Sequence, residues 1–305
     1  MKLKYKVENN AYYNVKEVLK VHFEISERLL IKLKRNNQIY LNNNPTYINQ
    51  ELNIGDLIEV DLDFEEKSHN IIPVKMDLDI LFEDEYLLII NKSANLPIHP
   101  SILHFDDSLS NGIQFYFNSK NINKKIRPVN RLDKDTSGIV IFAKNEYIQE
   151  LLIKQMKNKI FEKNYYAILE GHISTNKQTI IAPIARKENS IIEREVNPNG
   201  DYSITHLEVI NNFEIFESNS KKQLSFVKLI LETGRTHQIR VHTKHIGHPI
   251  LGDSLYGSCS PLILRQALHA YKVTFVHPIS KEIMTLECEL PDDMKNILNI
   301  GEAFI

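Results

Sequence analysis

Apolar residues along this chain recur at two periods, and the period changes from one segment to the next. Near the N-terminus the spacing is helical. Val15, Val18, Leu19 and Phe23 fall on one face, and Ser26 precedes a second amphipathic helix, Glu27 to Lys34. Short strand-like runs follow at Ile39 to Leu41 and, after Gly55-Asp56, at Leu57 to Leu62. Residues 14–63 therefore read as one small unit. A polar stretch broken by proline, residues 64–74, reads as a linker. The remainder, 75–300, alternates strand-like and helix-like segments without a repeating unit. Ile139 to Ala143 is an unbroken β-branched and aromatic run, the pattern of a buried strand. Glu146 to Lys159 reads as a helix, with Leu151, Leu152, Gln155 and Met156 bracketing its inner face. Tyr165 to Leu169 reads as a strand with Tyr165, Ala167 and Leu169 on one side, and Leu224 to Leu231 as an alternating strand. The Thr233-Gly234 turn then leads into a short helix that ends near Ile246, with Gly247 as its stop. Strand runs outnumber helices, so the pattern predicts an α+β fold with a largely antiparallel sheet.

Composition narrows the class without naming a function. The 305 residues are 42% hydrophobic, ample for a core in one large or two ordinary domains. No apolar run approaches the roughly 18 residues of a membrane span. The N-terminus lacks the apolar stretch of a secretory signal. Cys259 and Cys288 lack metal-type spacing and point to a reducing compartment without a disulfide framework. A cytoplasmic monomer that does not engage membranes is the expectation. The net charge of −2 argues against a uniformly basic nucleic-acid binder, but the charges are segregated. Lys120, Lys124, Lys125, Arg127, Arg131 and Lys134 form one basic stretch, and Lys154, Lys157, Lys159 and Lys163 another. Acidic residues gather in Asp56 to Glu66 and Asp77 to Glu85. The first basic stretch flanks Asp133, which favours phosphate contacts; the second reads equally well as a solvated helix face.

Two segments carry the candidate chemistry. In the first, Arg131-Leu132-Asp133-Lys134-Asp135-Thr136-Ser137-Gly138 feeds directly into the buried run. Gly138 can take the backbone angles that let the turn enter the strand. Asp133 is thereby held in a tight turn at the rim of a sheet, beside an arginine, as a catalytic carboxylate would be. The competing reading is a turn aspartate that caps its own backbone, and that reading is preferred for Asp135. In the second segment, residues 232–257, Arg235 and Arg240 lie five apart and His237, His242, His245 and His248 crowd together. Such a density of histidine suggests a metal. However, no His-Glu-x-x-His occurs and no nearby cysteine or carboxylate completes a ligand set, so no metal is expected.

Together these segments resemble the RluA-type pseudouridine synthases, the branch that modifies ribosomal RNA and some transfer RNA. The resemblance continues through Asp84 to Pro100, Lys163-Asn164-Tyr165-Tyr166-Ala167, Thr205 to Val209, Leu268-His269-Ala270 and Phe275 to Pro278, in the family's order. One position departs: the family usually has histidine before the Arg-Leu-Asp, and here it is Asn130, which hydrogen-bonds but cannot titrate. Residues 14–63 resemble the S4 RNA-binding domain, with Leu41-Asn42-Asn43-Asn44 in place of its usual Val-Asn-Gly turn. The basic positions there are Arg28, Lys32, Lys34 and Arg35; the alternative is a structural cap with an ordinary basic surface.

The resemblance implies a bent central sheet with the active site in a cleft across it. It implies isomerisation of uridine to pseudouridine, a reaction without redox change or external group and so without a cofactor. Asp133 corresponds to the essential aspartate and Arg240 to the arginine that pairs with it, a neighbour that favours the ionised carboxylate. Tyr165 corresponds to the tyrosine that stacks on the uracil. Arg131 corresponds to the arginine that helps draw the target nucleotide from the stack. Leu268 is placed against the uracil, and Arg235 and His237 among the substrate contacts. The carboxylate either attacks the sugar C1′ or removes a 2′ proton to give a glycal. The S4-like unit tilts the expected partner toward large-subunit ribosomal RNA, with transfer RNA as the alternative. Two other functions fit parts of the sequence: a non-catalytic RNA-binding or ribosome-assembly factor on the same scaffold, and a metal-dependent nucleic-acid hydrolase using the histidines.

Overall fold

Residues 1–63, 71–217 and 220–302 are described by the computed structural model of the chain; most of the expected linker lies outside them. The N-terminal unit comprises β1 (Lys2–Lys6), α1 (Val15–Glu17), a π-helical turn (Val18–His22), α2 (Glu27–Arg35), β2 (Ile39–Leu41), β3 (Asn44–Pro45) and β4 (Leu57–Asp61). Its antiparallel sheet has the order β1-β4-β2-β3. The sequence pattern opens this unit at residue 14, but β1 pairs with β4 from Lys2↔Asp61 to Lys6↔Leu57 and joins the same sheet. Ser26 caps α2 by accepting the Leu29 N–H at 3.1 Å, and the helix buries Leu29, Leu30 and Leu33.

The rest of the chain runs β5 (Ile80–Glu83), β6 (Leu87–Lys92), α3 (Leu109–Ser119), β7 (Ser137–Ala143), α4 (Glu146–Lys157), β8 (Glu162–Glu170), β9 (Lys177–Ile181), β10 (Ile184–Arg186), β11 (Arg194–Val196), β12 (Ile204–Glu217), β13 (Ser220–Leu231), α5 (Gln238–His245), β14 (Leu268–Val276), β15 (Ile283–Glu287) and α6 (Asp292–Glu302). The large sheet has the order β5-β6-β7-β14-β8-β13-β12-β9, with β15 also paired to β14. Its ladders are antiparallel except where β7 meets β14. The α+β class with a mainly antiparallel sheet is thus the observed one. Among the described residues no helix is long and apolar enough to cross a membrane. The helix expected over Glu146 to Lys159 stops at Lys157, because Lys159 turns to a left-handed φ of 59°.

Strand alternation divides the core between the two faces of the sheet. Leu88, Ile90, Val140 and Phe142 join Tyr165, Leu229, Ile239 and Leu268 on the face that carries α3 and α5. Leu87, Ile89, Ile139 and Ile141 point the other way and meet α4. Val15, Leu19, Leu29, Leu33, Ile58 and Val60 of the small unit belong to that same second cluster, so its apolar core is continuous with the back of the large sheet. The Tyr147 hydroxyl donates to the Phe23 carbonyl at 2.9 Å and the Ser26 hydroxyl to Glu150 at 2.7 Å, which fastens the small unit to α4.

Candidate active site

The turn that carries Asp133 is braced from three sides. Its own Thr136 N–H donates to the Asp133 carbonyl at 3.1 Å. The next two carbonyls are each held by a buried cation: Lys92 Nζ reaches the Lys134 carbonyl at 2.9 Å, and Arg265 Nη1 the Asp135 carbonyl at 3.3 Å. Lys92 also donates to the Ser93 and Leu96 carbonyls, tying the loop after β6 to this turn. Burial pushes its ammonium down to about 7. Arg265 is further fixed by two bonds to Asp293 on α6, at 2.7 and 2.8 Å. Gly138 opens the strand with a φ of +115°, and any Cβ there would run into the Ala270 carbonyl of β14. Glycine is required at this position both by the angle and by the close approach.

The opposite wall is built by the Thr-Gly-Arg-Thr-His-Gln-Ile-Arg segment. Gln238, buried at the start of α5, accepts from the Thr233 hydroxyl and the Arg235 N–H and donates to the Ile204 carbonyl and Thr205. This bonding aims α5 so that Arg240, nearly buried, enters the site. Its Nη1 donates to Asp133 Oδ2 at 3.1 Å. Its Nε and Nη2 grip Asp253, which is wholly buried, at 2.7 and 2.8 Å. The guanidinium also lies 4.9 Å from the centre of the Tyr256 ring, a cation–π contact. The Tyr256 hydroxyl in turn is 2.8 Å from His237 Nδ1, whose Nε2 is 3.8 Å from Asp133. Burial holds His237 below the usual imidazole range, against the opposing pull of Asp133. Tyr165 arrives on β8, opposite Leu229 in register, and is 6% exposed. Burial, reinforced by the Asp133 charge, raises its phenol well above the ordinary value, so the ring is neutral near pH 7.

These side chains enclose a cleft of about 590 Å³, within the range of small-ligand sites. Asp133, Tyr165, Arg240, Arg131, Leu268, Arg235 and His237, scattered over residues 131–268, all line it. The remaining candidates, Arg28, Lys32, Lys34 and Arg35, lie apart on α2. There Arg28 and Lys32 are paired with Glu146 of α4 at 3.1 and 3.5 Å. In the second basic stretch Lys154 is taken up by Glu24, whereas Lys157, Lys163 and the Glu232-paired Lys159 line the cleft. Tyr166, beside the candidate Tyr165, stacks on Tyr271 with ring centres 3.7 Å apart.

Sequence reasoning missed Asp253, Lys92, Arg265 and Gln238. The available signal for Asp253 was a carboxylate in the Gly-Asp-Ser-Leu-Tyr-Gly turn just beyond the arginine-bearing helix. Asn130, the departure from the resembled family, donates to the Ile139 carbonyl and accepts the Ile141 N–H, both at 2.9 Å, so its amide extends the edge of β7. Two of the crowded histidines are occupied elsewhere: His242 contacts Thr205 and the Ala182 carbonyl, and His248 the Glu170 carbonyl. Among the described residues no three His, Cys, Asp or Glu side chains gather as a metal site would need.

Comparison with known proteins identifies the family. Residues 86–245 match the family described as RNA pseudouridylate synthase. The RNA pseudouridine synthase YhcT of Bacillus subtilis is 42% identical over 280 residues, covering 92% of this chain and 90% of the relative. Ribosomal large subunit pseudouridine synthase D of Escherichia coli K12 is 32% identical over 263 residues, covering 82% and 78%. The solved structure of human RNA pseudouridylate synthase domain containing 1 shares the fold, with a TM-score of 0.58 and 24% identity over 74% of this chain and 95% of that one. A family match over more than half the chain and relatives aligned along most of their length place it plainly: the chain belongs to the RNA pseudouridylate synthases, enzymes that isomerise uridine to pseudouridine in RNA.

Proposed function

We propose that Asp133 is the reacting carboxylate of this isomerase and that its substrate is large-subunit ribosomal RNA. The observation that carries the first part is the convergence on one cleft of seven residues from four stretches of chain, with Arg240 bonded to Asp133. The reaction breaks the uridine C1′–N1 bond and forms C1′–C5; C5 gives up its proton and N1 gains one, so the product is an isomer. Asp133 either attacks C1′ and is later displaced, or takes the 2′ proton and returns it. Each route needs an ionised, oriented oxygen, which the Arg240 bond supplies. Tyr165 stacks on the uracil, a contact worth about 1–3 kcal/mol per base. Its raised phenol pKa makes it a poor base, so its contribution is to hold the ring. Arg131, exposed at the cleft's rim, is suited to a phosphate of the displaced nucleotide.

The ribosomal target rests on the relative named for the large ribosomal subunit and on the S4-like reading of the small unit. Action on ribosomal RNA accords with a cytoplasmic protein, working as a monomer. Pseudouridine mapping in total RNA of a deletion strain, paired with the purified protein acting on large-subunit transcripts, tests this. The expected result is loss of at least one large-subunit pseudouridine, restored by wild type and not by Asp133→Asn. Loss confined to transfer RNA would overturn the assigned target.

A further inference from the structure

Strand β8 delivers two long side chains to one wall of the cleft. Tyr165 and Lys163 are two residues apart, so they share a face of the strand, roughly 7 Å apart along it. Lys163 is half-buried, and among the described residues nothing pairs with its ammonium. Burial alone holds that ammonium below the ordinary lysine value, and no carboxylate pulls it back up. Gly234, in the turn before α5, keeps the space in front of it clear. A Cβ there would lie 3.2 Å from Lys163 Nζ and meet nothing else within 4 Å. The backbone angle of Gly234 is outside the left-handed region, so its conformation does not demand glycine. The other cations of the cleft are engaged or open to water. Arg240 is bonded to Asp133 and Asp253, and Lys159 to Glu232. Arg235 reaches the Tyr202 carbonyl at 3.3 Å and Asp201 at 3.6 Å. Arg131 and Lys157 are exposed.

The reaction creates a charge that fits this cation. Either route through Asp133 breaks C1′–N1 with the electron pair left on uracil N1, from which it spreads to O2 and O4. The uracil is neutral before that cleavage and anionic after it. A partly desolvated ammonium beside one of those oxygens therefore strengthens its hold as the bond breaks. We propose that Lys163 is a further catalytic residue, whose ammonium donates a hydrogen bond to a uracil carbonyl oxygen and balances the charge of the departing ring. No proton leaves the lysine. The ring charge is discharged when C5 closes on C1′, and the C5 proton is lost and N1 protonated afterwards. With Tyr165 against the base, an ammonium one strand step away meets the ring's edge, while Asp133 and Arg240 attend to the sugar. A phosphate fits the position less well. It is fully charged throughout the reaction and would meet a single donor here, whereas Arg131 and Lys157 stand exposed at the rim. The inference rests on the reading that the target uridine enters the Asp133 cleft.

Lys163→Met keeps the length of the side chain and removes its charge, and Lys163→Arg keeps the charge. Both full-length variants are assayed on an RNA transcript that wild type modifies, with Asp133→Asn beside them. Lys163→Met should lower kcat by roughly 10²–10³-fold and leave KM within about twofold. Lys163→Arg should recover part of the loss. The urea midpoint of Lys163→Met should equal or exceed that of wild type, because an unpaired, partly desolvated charge has been removed. In a transcript carrying 5-fluorouridine the fluorine itself stabilises the departing anion, so the gap between Lys163→Met and wild type in bond cleavage should narrow. A raised KM with unchanged kcat would make Lys163 a phosphate contact. Wild-type kinetics would make it a solvated lysine. Either result, or a loss of kcat that follows a lowered urea midpoint, overturns the proposal. An active Asp133→Asn would remove the cleft reading and this inference with it, whereas an inactive Asp133→Asn beside a fully active Lys163→Met would overturn this inference alone.

Discussion

Asp253 takes two hydrogen bonds from Arg240, at 2.7 and 2.8 Å, whereas Asp133 takes one, at 3.1 Å. The arginine is therefore anchored by a wholly buried aspartate and presents its spare N–H to the partly exposed one. This arrangement divides two roles that a single ion pair would merge.

The two aspartates should separate in mutagenesis. Asp253→Asn leaves the buried guanidinium with only the partly exposed Asp133 as counter-charge and should cost up to about 3–5 kcal/mol of stability, with turnover falling as Arg240 loses its aim. Asp133→Asn should leave stability near wild type and reduce turnover by on the order of 10⁴. Arg240→Lys should restore little, because lysine lacks the planar fork that spans both carboxylates. Urea unfolding and tritium release from C5-labelled uridine measure the two effects. A stable, inactive Asp253→Asn beside an unstable, active Asp133→Asn would reverse the assignment.

Tyr165 is expected to act through its ring. Tyr165→Phe should keep substrate affinity and most of the turnover, while Tyr165→Ala should lose about 1–3 kcal/mol of binding. Burial and the Asp133 charge keep the phenol protonated well past its ordinary value of 10.0, so the pH–rate profile should show no tyrosinate limb below pH 10. A profile that gains activity as a phenol ionises, and loses that gain in Tyr165→Phe, would make the hydroxyl the working group.

Asn130 serves the strand edge and not a proton. Asn130→Ala should cost roughly 1–3 kcal/mol, since it leaves the Ile139 carbonyl and Ile141 N–H without partners. The pH dependence of the remaining activity should be unaltered. Asn130→His should retain activity. A new titration in the pH–rate profile of Asn130→His would show that this position communicates with the chemistry.

How legible these features were depended on their range. Asp133, Tyr165 and Arg240 lie inside contiguous motifs with a strand, a turn or a helix on either side, so the resemblance of those motifs to a known family could single them out as candidates where local pattern alone left Asp133 contested. Asp253, Lys92 and Arg265 work through contacts across the fold. A single buried charge has no periodicity and looks, in sequence, like any surface residue. The buried-strand and helix-stop signals were read well, since Gly247 does follow the end of α5 and Ile139 to Ala143 is buried throughout. The strand β1 was missed although Lys-Leu-Lys-Tyr-Lys alternates perfectly, and its partner is β4, more than fifty residues on. The continuity of the small unit's core with the large sheet was invisible, because apolar periodicity shows that a face is covered and not what covers it.

Stability should fall on mild acidification, through His269. Its ring is buried between the Ser137 hydroxyl, 2.9 Å from Nδ1, and the Cys288 sulfur, 3.3 Å from Nε2. Burial pushes it from the ordinary value of 6.5 down to about 4. Between those values the unfolded chain binds a proton that the folded one refuses, so the unfolded state is favoured as pH drops. The contribution is complete above pH 6.5 and is lost toward pH 4, amounting to at most about 3 kcal/mol. Urea midpoints across this window should slope less steeply in His269→Gln. Equal slopes would place the acid sensitivity in other groups.

The parallel seam between β7 and β14 bears on how the enzyme comes into being. It consists of two registered pairs, Ser137↔His269 and Gly138↔Ala270, and it closes a separation of 132 positions. Contacts of such long range carry a larger loop-closure entropy than local hairpins such as β12–β13. Asp133 belongs to the near side of that seam, and Arg240, Asp253 and Leu268 to the far side. A nascent chain therefore carries its carboxylate for more than a hundred residues of synthesis without the groups that orient it. Competence requires closure of the seam, so the geometry for modifying RNA is absent from any state in which the two sides have not met.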